Sequence, residues 1–488
     1  MCQDQGLQPA SIVRLSVELL QMVLLELPDV SSLRAAALSC PLLYEVFLDA
    51  ETTITTQVLL KQIDDSVLPE AELAFLSSSL HHGPEPEYQH SLVDFITQNL
   101  RQRPTPPSSW SLQKALQLER LHLCVSELTQ RFVHTTLTTY PMTQSECTAT
   151  RLERCRIERA FYRFEIYCNL FRMLPEIYAE LPTHIEQERL FFACFAPWEN
   201  EQLACIHDFL VRAVSPGKLL GITCTIVESK AHHNTLAFND IAEHDIAWGA
   251  FQVEYDDKID SPFIQHLLSR GLKKLLSVIL AETYLERHRL LYSRGCPPVT
   301  DNFLHEGLES ANGHNDNVSL ESLSPMEEAL LFKHSFFRDP DSGPRDAWKW
   351  AHLEEARSHW VYVEDRENIR RWGYVMWDRC RLDSVAMLQK PWEDTWISTN
   401  VLLEEQEAAR QSRERAYMEN SWEKREKMYR RGAVGWWSWG DESQVLWPDG
   451  VAPGQRPSVP VHVKPDSLEE ARDVLRMMKL PPSCAKLS

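Results

Sequence analysis

RLSVELLQMVLLELPDVSSLRAAALSCPLLYEVF, residues 14 to 47, marks out three short helices by its own punctuation. Ser16 stands at an N-cap position, and Glu18 falls in the first turn, where the helix dipole favours a carboxylate. Pro28 ends this first helix. Asp29 or Ser31 can cap a second helix through Leu33 and Leu38, which stops before Pro41. Pro41 then suits the first turn of a third helix carrying Leu42, Leu43, Tyr44 and Phe47, because its missing N–H costs nothing there.

At 100° per residue, the apolar residues Leu15, Val17, Leu19, Leu20, Met22, Val23, Leu24, Leu25 and Leu27 surround the first helix. Ser16, Glu18, Gln21 and Glu26 do not share one face. A helix apolar nearly all round must be covered on most sides. A unit of about 40 residues buries too little surface to do so alone. The cover is either the rest of this chain or a second protein.

These residues resemble the F-box. That pattern opens on Leu-Pro, places Glu two positions on, continues as an apolar helix to a second Leu-Pro, and then has a leucine-bearing helix and an aromatic. Leu15, Glu18, Leu19, Val23, Leu24, Leu27, Pro28, Leu33, Leu38, Cys40 and Tyr44 match it in order. Ser16 stands where the pattern usually has proline, and Tyr44 where tryptophan is commoner. The resemblance implies a non-catalytic substrate receptor of a Skp–cullin–F-box ubiquitin ligase. Residues 11–50 would dock a Skp-type adaptor, and through it a cullin–RING ligase, by way of Leu15, Glu18, Leu19, Leu20, Val23, Leu24, Leu27, Pro28, Leu33, Leu38 and Tyr44. RCRIERAFYRFEIYCNLF (154–171), FFACFAPWENEQLACIHDFL (191–210) and RRWGYVMWDRCRLD (370–383) are similar to segments of uncharacterised F-box proteins of filamentous fungi. An unidentified target protein is the remaining partner that this family implies.

Composition narrows the alternatives. With 70 acids against 50 bases the net charge is −20, which repels phosphate backbones and anionic lipid, so neither nucleic acid nor membrane is expected as a partner. Leu15 to Leu27 is too short to span a bilayer and carries Glu18 and Glu26. It has no basic leader or cleavage site, so cytoplasm and/or nucleus is the expected location. The 12 cysteines show no C-x-x-C pair, and in a reducing compartment they read as small apolar core residues.

Only 16 glycines against 15 tryptophans and 13 tyrosines argue against a strand-and-turn architecture. The expected fold is mainly α: a three-helix module at 11–50, then an irregular multi-helix body with little or no β-structure. A helical connector and proline-rich loop should occupy 51–109, with a weak helix at SLVDFITQNL. A helical domain follows over 110–310, then a tryptophan-rich helical region over 321–445 and an extended tail with a short helix over 446–488. Helical patterns run at about 110–139, 150–174, 184–213, 263–292, 321–336, 344–361, 366–383 and 401–431, and 218–260 reads either way. No fixed-period repeat is present.

The 154–171 helix has an apolar stripe at Ile157, Ala160, Phe161, Phe164, Cys168 and Phe171. Arg154, Arg156, Arg159 and Arg163 interleave with Glu153, Glu158 and Glu165 and read as a solvated, self-paired face. An arginine surface for a phosphorylated segment is the competing reading. Glu199, Glu201, His207 and Asp208 match no metal-ligand spacing and read as capping and surface charge. Most tryptophans should make helix–helix contacts, but Trp436, Trp437 and Trp439 in GWWSWG are candidate substrate contacts. The helix at 401–431 begins acidic and ends basic, as its dipole prefers.

Phosphate-loop, dinucleotide, nucleophile-elbow and zincin signatures are absent from the sequence, and His81-His82 and His232-His233 read as loop residues. No catalytic residue, metal or cofactor is therefore expected. Two other functions stay open: a helical interaction scaffold that does not engage a cullin, and an enzyme with an unrecognised helical active site.

Overall fold

The computed structural model describes residues 15–80, 87–102, 109–139, 148–171, 187, 190–214, 262–281, 290, 303–310, 324, 326, 339–353, 362, 366–392, 424–425, 427–435, 437, 442–443 and 445–448. It divides into two compact units. One takes 1–208, 269–273 and 304–392, and the other takes 209–268, 274–303 and 393–488. The mainly α expectation holds. The expected boundaries after 50, 109 and 310 all fall within the first unit.

In the first unit, α1 (Val17–Leu25), α2 (Val30–Ala37) and α3 (Pro41–Asp49) are followed by α4 (Glu51–Gln62) and α5 (Leu68–Ser77). The weak helix is present as α6 (Glu87–Phe95), which continues as one π-helical turn, Ile96–Arg101. Next come α7 (Leu112–Thr139) and α8 (Arg151–Leu170), a 3-10 turn at Phe192–Cys194, and α9 (Pro197–Val214), of which the residues up to Asp208 belong to this unit. A capping box starts α8: the Thr150 hydroxyl accepts from Glu153 N–H while the Glu153 carboxylate accepts from Thr150 N–H. Pro197 opens α9, and the 184–213 pattern breaks at that proline as its fixed backbone angle and missing N–H lead one to expect.

The expected stripe on α8 is buried, with Ile157, Ala160, Phe161, Phe164 and Cys168 all covered. Its opposite face is buried too, because α5 packs along α8 and α7 lies against both. Later in this unit α12 (Leu304–Ser310), α13 (Gly343–His352), α14 (Glu367–Trp372) and α15 (Arg379–Ser384) follow. The expected single helix over 366–383 is broken by Gly373, which is left-handed with φ 71°, and by extended backbone at Trp377 and Asp378. Trp348, Trp372 and Trp377 are fully buried, as helix-contact tryptophans should be.

The second unit includes most of α10 (Pro262–Ser269) and α11 (Leu272–Leu280), with Ile264, Leu267, Leu268, Leu275, Val278 and Ile279 buried. Left-handed Gly271 (φ 82°) separates these helices, which the 263–292 pattern reads as one. A two-residue antiparallel ladder joins β1 (Val434–Gly435) to β2 (Val445–Leu446), with Val434 opposite Leu446. Met428, Ala433, Trp437 and Val445 form a small core beneath it, so Trp437 is a packing residue and its expected role as an exposed substrate contact is corrected. Trp436 and Trp439 lie outside the described residues, as do the patterns at 218–260 and 321–336 (Ser324 and Met326 aside), nearly all of 401–431, the tail beyond 448, and both histidine pairs.

Candidate functional site

One side of α1 is core and the other is not. Leu20 and Leu24 are each 1% exposed and face α3 and α4. Leu15, Leu19, Met22 and Val23, spaced to share a face, are 39%, 46%, 60% and 41% exposed. The third helix repeats the division. Leu43, Val46 and Phe47 are buried, while Pro41, Tyr44 and Leu48 look outward, and Leu38 at the end of α2 is 61% exposed. Single exposed leucines are ordinary on a protein surface. Two packed helices that both turn an apolar stripe to solvent are less so.

The sequence-predicted docking residues therefore separate into two groups. Leu15, Glu18, Leu19, Val23, Pro28, Leu38 and Tyr44 are at the surface, and Leu27 is half-buried. Leu20, Leu24 and Leu33 face this chain's own core, which corrects their assignment as direct contacts. Val17, Met22 and Leu48 also belong to the exposed set, outside the residues that carry the F-box resemblance. Leu48 follows Tyr44 by one helical turn and so shares its side of α3.

The exposed face is held in place from behind. Lys61 of α4 donates to the Leu25 carbonyl at 2.7 Å and pairs with Glu26 at 3.1 Å, closing the end of α1. Asp29 caps α2 by accepting from Ser32 N–H at 2.6 Å. The buried carboxylate of Glu119 on α7 reaches the same helix end, accepting from Val30 N–H at 2.7 Å, Ser31 N–H at 3.1 Å and the Ser31 hydroxyl. Ser16 sits at the N-cap with extended backbone but makes no capping bond. Its hydrogen bond goes to the Glu18 carboxylate and lowers that group's pKa.

Charges around α8 are buried rather than solvated, which corrects the self-paired surface reading. Arg154 alone of the four arginines is exposed. Arg156 makes a fork to Asp339 at 2.6 and 3.1 Å, and also donates to the Met376 carbonyl at 2.6 Å and to Asp378 at 2.9 Å. Arg163 bridges Glu70 of α5 at 3.0 Å and Glu199 of α9 at 2.7 Å. Glu153 accepts from Arg381 and from Asp378 N–H; burial would raise its pKa, but these donors outweigh burial and hold it low.

Glu201, His207 and Asp208 are likewise fully buried, not surface charge. Arg370 donates to Asp208 at 2.9 Å and lies 4.5 Å from the Tyr362 ring centroid, while Tyr362 N–H donates to Glu201 at 2.9 Å. The Tyr362 hydroxyl is 3.0 Å from His305 Nδ1 and 3.4 Å from His207 Nδ1. Among the described residues no cluster of histidine, cysteine, aspartate or glutamate is arranged to hold a metal, and no helix is long and apolar enough to cross a membrane. Buried arginine–carboxylate pairs of this kind tie α5, α8, α9 and α14 together.

Comparisons with protein-family models, curated proteins and solved structures find no match.

Proposed function

We propose that α1 to α3 dock a Skp-type adaptor and that the chain serves as a substrate receptor of a Skp–cullin–F-box ubiquitin ligase. One observation carries this reading. The side of α1 and α3 that the chain leaves uncovered is apolar, and it includes Leu15, Leu19, Val23 and Tyr44, which also carry the F-box resemblance. An uncovered strip of this kind favours a docking module over an ordinary part of the core. The anchoring by Lys61 and Glu119 gives the strip a fixed orientation on the helical body, which suits presenting a bound target at a set distance.

The test is co-purification of the full chain with a Skp-type adaptor and a cullin. Leu24→Asp would bury a charge and unfold the module, so the informative pair is Leu19→Asp with Val23→Asp, both at exposed positions. The pair should keep the wild-type circular dichroism and melting profile and lose adaptor binding by about 30-fold or more, as for hot-spot residues. Undiminished binding by the variant, or no adaptor with the wild type, sinks the proposal. Adaptor without cullin or ubiquitin transfer would favour a scaffold.

A further inference from the structure

Met22 is the most exposed member of the apolar stripe on α1, at 60%. It follows Leu15 and Leu19 at steps of four and three, and Val23 lies beside it, so its thioether stands within the uncovered strip. The other described methionines divide sharply. Met376, Met387 and Met428 are at most 4% exposed, and Met326 is open to solvent. A thioether is a soft apolar group that moulds itself to a partner, whereas its sulfoxide is polar and chiral and carries a strong hydrogen-bond acceptor. Peroxide makes that change. The sulfur lone pair attacks one peroxide oxygen, the S–O bond forms as the O–O bond breaks, and the departing hydroxide takes the proton from the new S–OH group to give water. Sulfur loses two electrons and the peroxide gains them.

We propose that Met22 is a redox-sensitive gate on the docking strip: oxidation by a peroxide weakens adaptor binding without unfolding the chain, and reduction of the sulfoxide restores it. Position separates this gate from ordinary oxidative damage. Leu20 and Leu24 carry the core contacts of α1, and Met22 points away from them, so its sulfoxide oxygen stays solvated in the free chain. The penalty arises only when a partner's apolar surface strips water from that oxygen without offering a donor. At Met376, Met387 or Met428 the same oxygen would be forced into the core, but burial keeps peroxide away from them. The proposal rests on the docking role given above for the same face, and it adds a means of regulating it.

The test treats the full chain with hydrogen peroxide, reduces its thiols with dithiothreitol and locates the added oxygen by peptide mass spectrometry. Met22 and Met326 should oxidise before Met376, Met387 and Met428. Affinity for a Skp-type adaptor should then fall about tenfold, with circular dichroism and melting unchanged, and methionine sulfoxide reductases for both epimers should restore it. Met22→Leu should bind as the untreated wild type does and ignore peroxide. Met22→Gln should imitate the oxidised chain, and Met326→Leu should stay as peroxide-sensitive as wild type. Undiminished binding once Met22 is fully oxidised, resistance of Met22 to peroxide, or an equal loss in Met22→Leu overturns the proposal and leaves the docking reading standing. An untreated chain that binds no adaptor overturns the docking reading, and the gate falls with it.

Discussion

The N–H of Val30 donates to the Glu119 carboxylate at 2.7 Å across 89 residues of chain, and Val30 is wholly buried. In return, Glu51 at the start of α4 accepts from Leu112 N–H at 2.9 Å at the start of α7. Each long-range carboxylate satisfies a helix end that water does not reach freely. The first three helices are thereby stapled to the body through α2. Glu119→Ala should lower stability by about 2 to 3 kcal/mol, since it orphans charge-assisted donors, while Glu119→Gln should cost roughly half of that. Urea unfolding checks both. A loss below about 0.5 kcal/mol for alanine would mean that the staple carries little.

Arg156 is the second joint, only 1% exposed, and its guanidinium meets Asp339, Asp378 and the Met376 carbonyl. Replacing it with methionine fills the volume but takes the nearest cation from two carboxylates. The expected cost is about 3 to 5 kcal/mol. Arg156→Lys should recover only part, because an ammonium cannot make the fork to Asp339. Double-mutant cycles with Asp339→Asn should give strong coupling, and additive effects would show that the pair is not the joint.

Several of these features were legible in the chain and others could not be. Proline punctuation at Pro28 and Pro41 placed the first three helices, and the stripe from Ile157 to Cys168 gave a buried face of α8 correctly. The opposite face was misread because the acids that satisfy Arg156 lie 183 and 222 residues away, while Glu153 and Glu158 are near in sequence. Local spacing reports neighbours along a helix and nothing about partners folded onto it. The same limit applies to the exposed face of α1. A helix apolar all round shows that cover is needed, but only the placement of α3 and α4 decides that Leu20 and Leu24 are covered and Leu19 and Met22 are not. Gly271 and Gly373 broke two predicted helices because left-handed backbone leaves no periodic signature.

Gly343 opens α13 where a side chain has no room. A Cβ there would sit 2.5 Å from the Trp377 carbonyl oxygen and 2.6 Å from the Arg379 nitrogen, both backbone atoms that cannot swing aside. Gly343→Ala should therefore destabilise by about 2 kcal/mol or more, despite the better helix propensity of alanine. Thermal melting measures this. A neutral or raised melting temperature would show that the Trp377–Arg379 segment yields easily.

Buried carboxylates give the fold an unusual response to alkali. Glu72 is pushed up to about 7 by burial, which Lys114 only partly offsets, and its Oε2 has no hydrogen-bond partner. Glu158 is also pushed up to about 7 by burial, against opposing contributions from Arg154 and Arg159. Glu70 and Glu201 shift the same way, again chiefly through burial. For each, the folded pKa lies above the unfolded value, so the folded state holds more protons between the two. The contribution of Glu72 and Glu158 is fully present below about pH 4.5 and is lost as pH rises through about 7, and that of Glu70 and Glu201 is lost in the same direction. Glu153 and Asp64 act oppositely. Burial would raise both, but hydrogen bonds and nearby arginines hold them down, Asp64 to about 2, so their stabilisation is lost in acid. Stability should therefore peak at mildly acid pH and fall by about 1 to 3 kcal/mol between about pH 5.5 and 8. Glu72→Gln with Glu158→Gln should flatten that alkaline arm and leave the acid arm unchanged. If the double variant keeps the wild-type slope between about pH 6 and 8, other groups govern it.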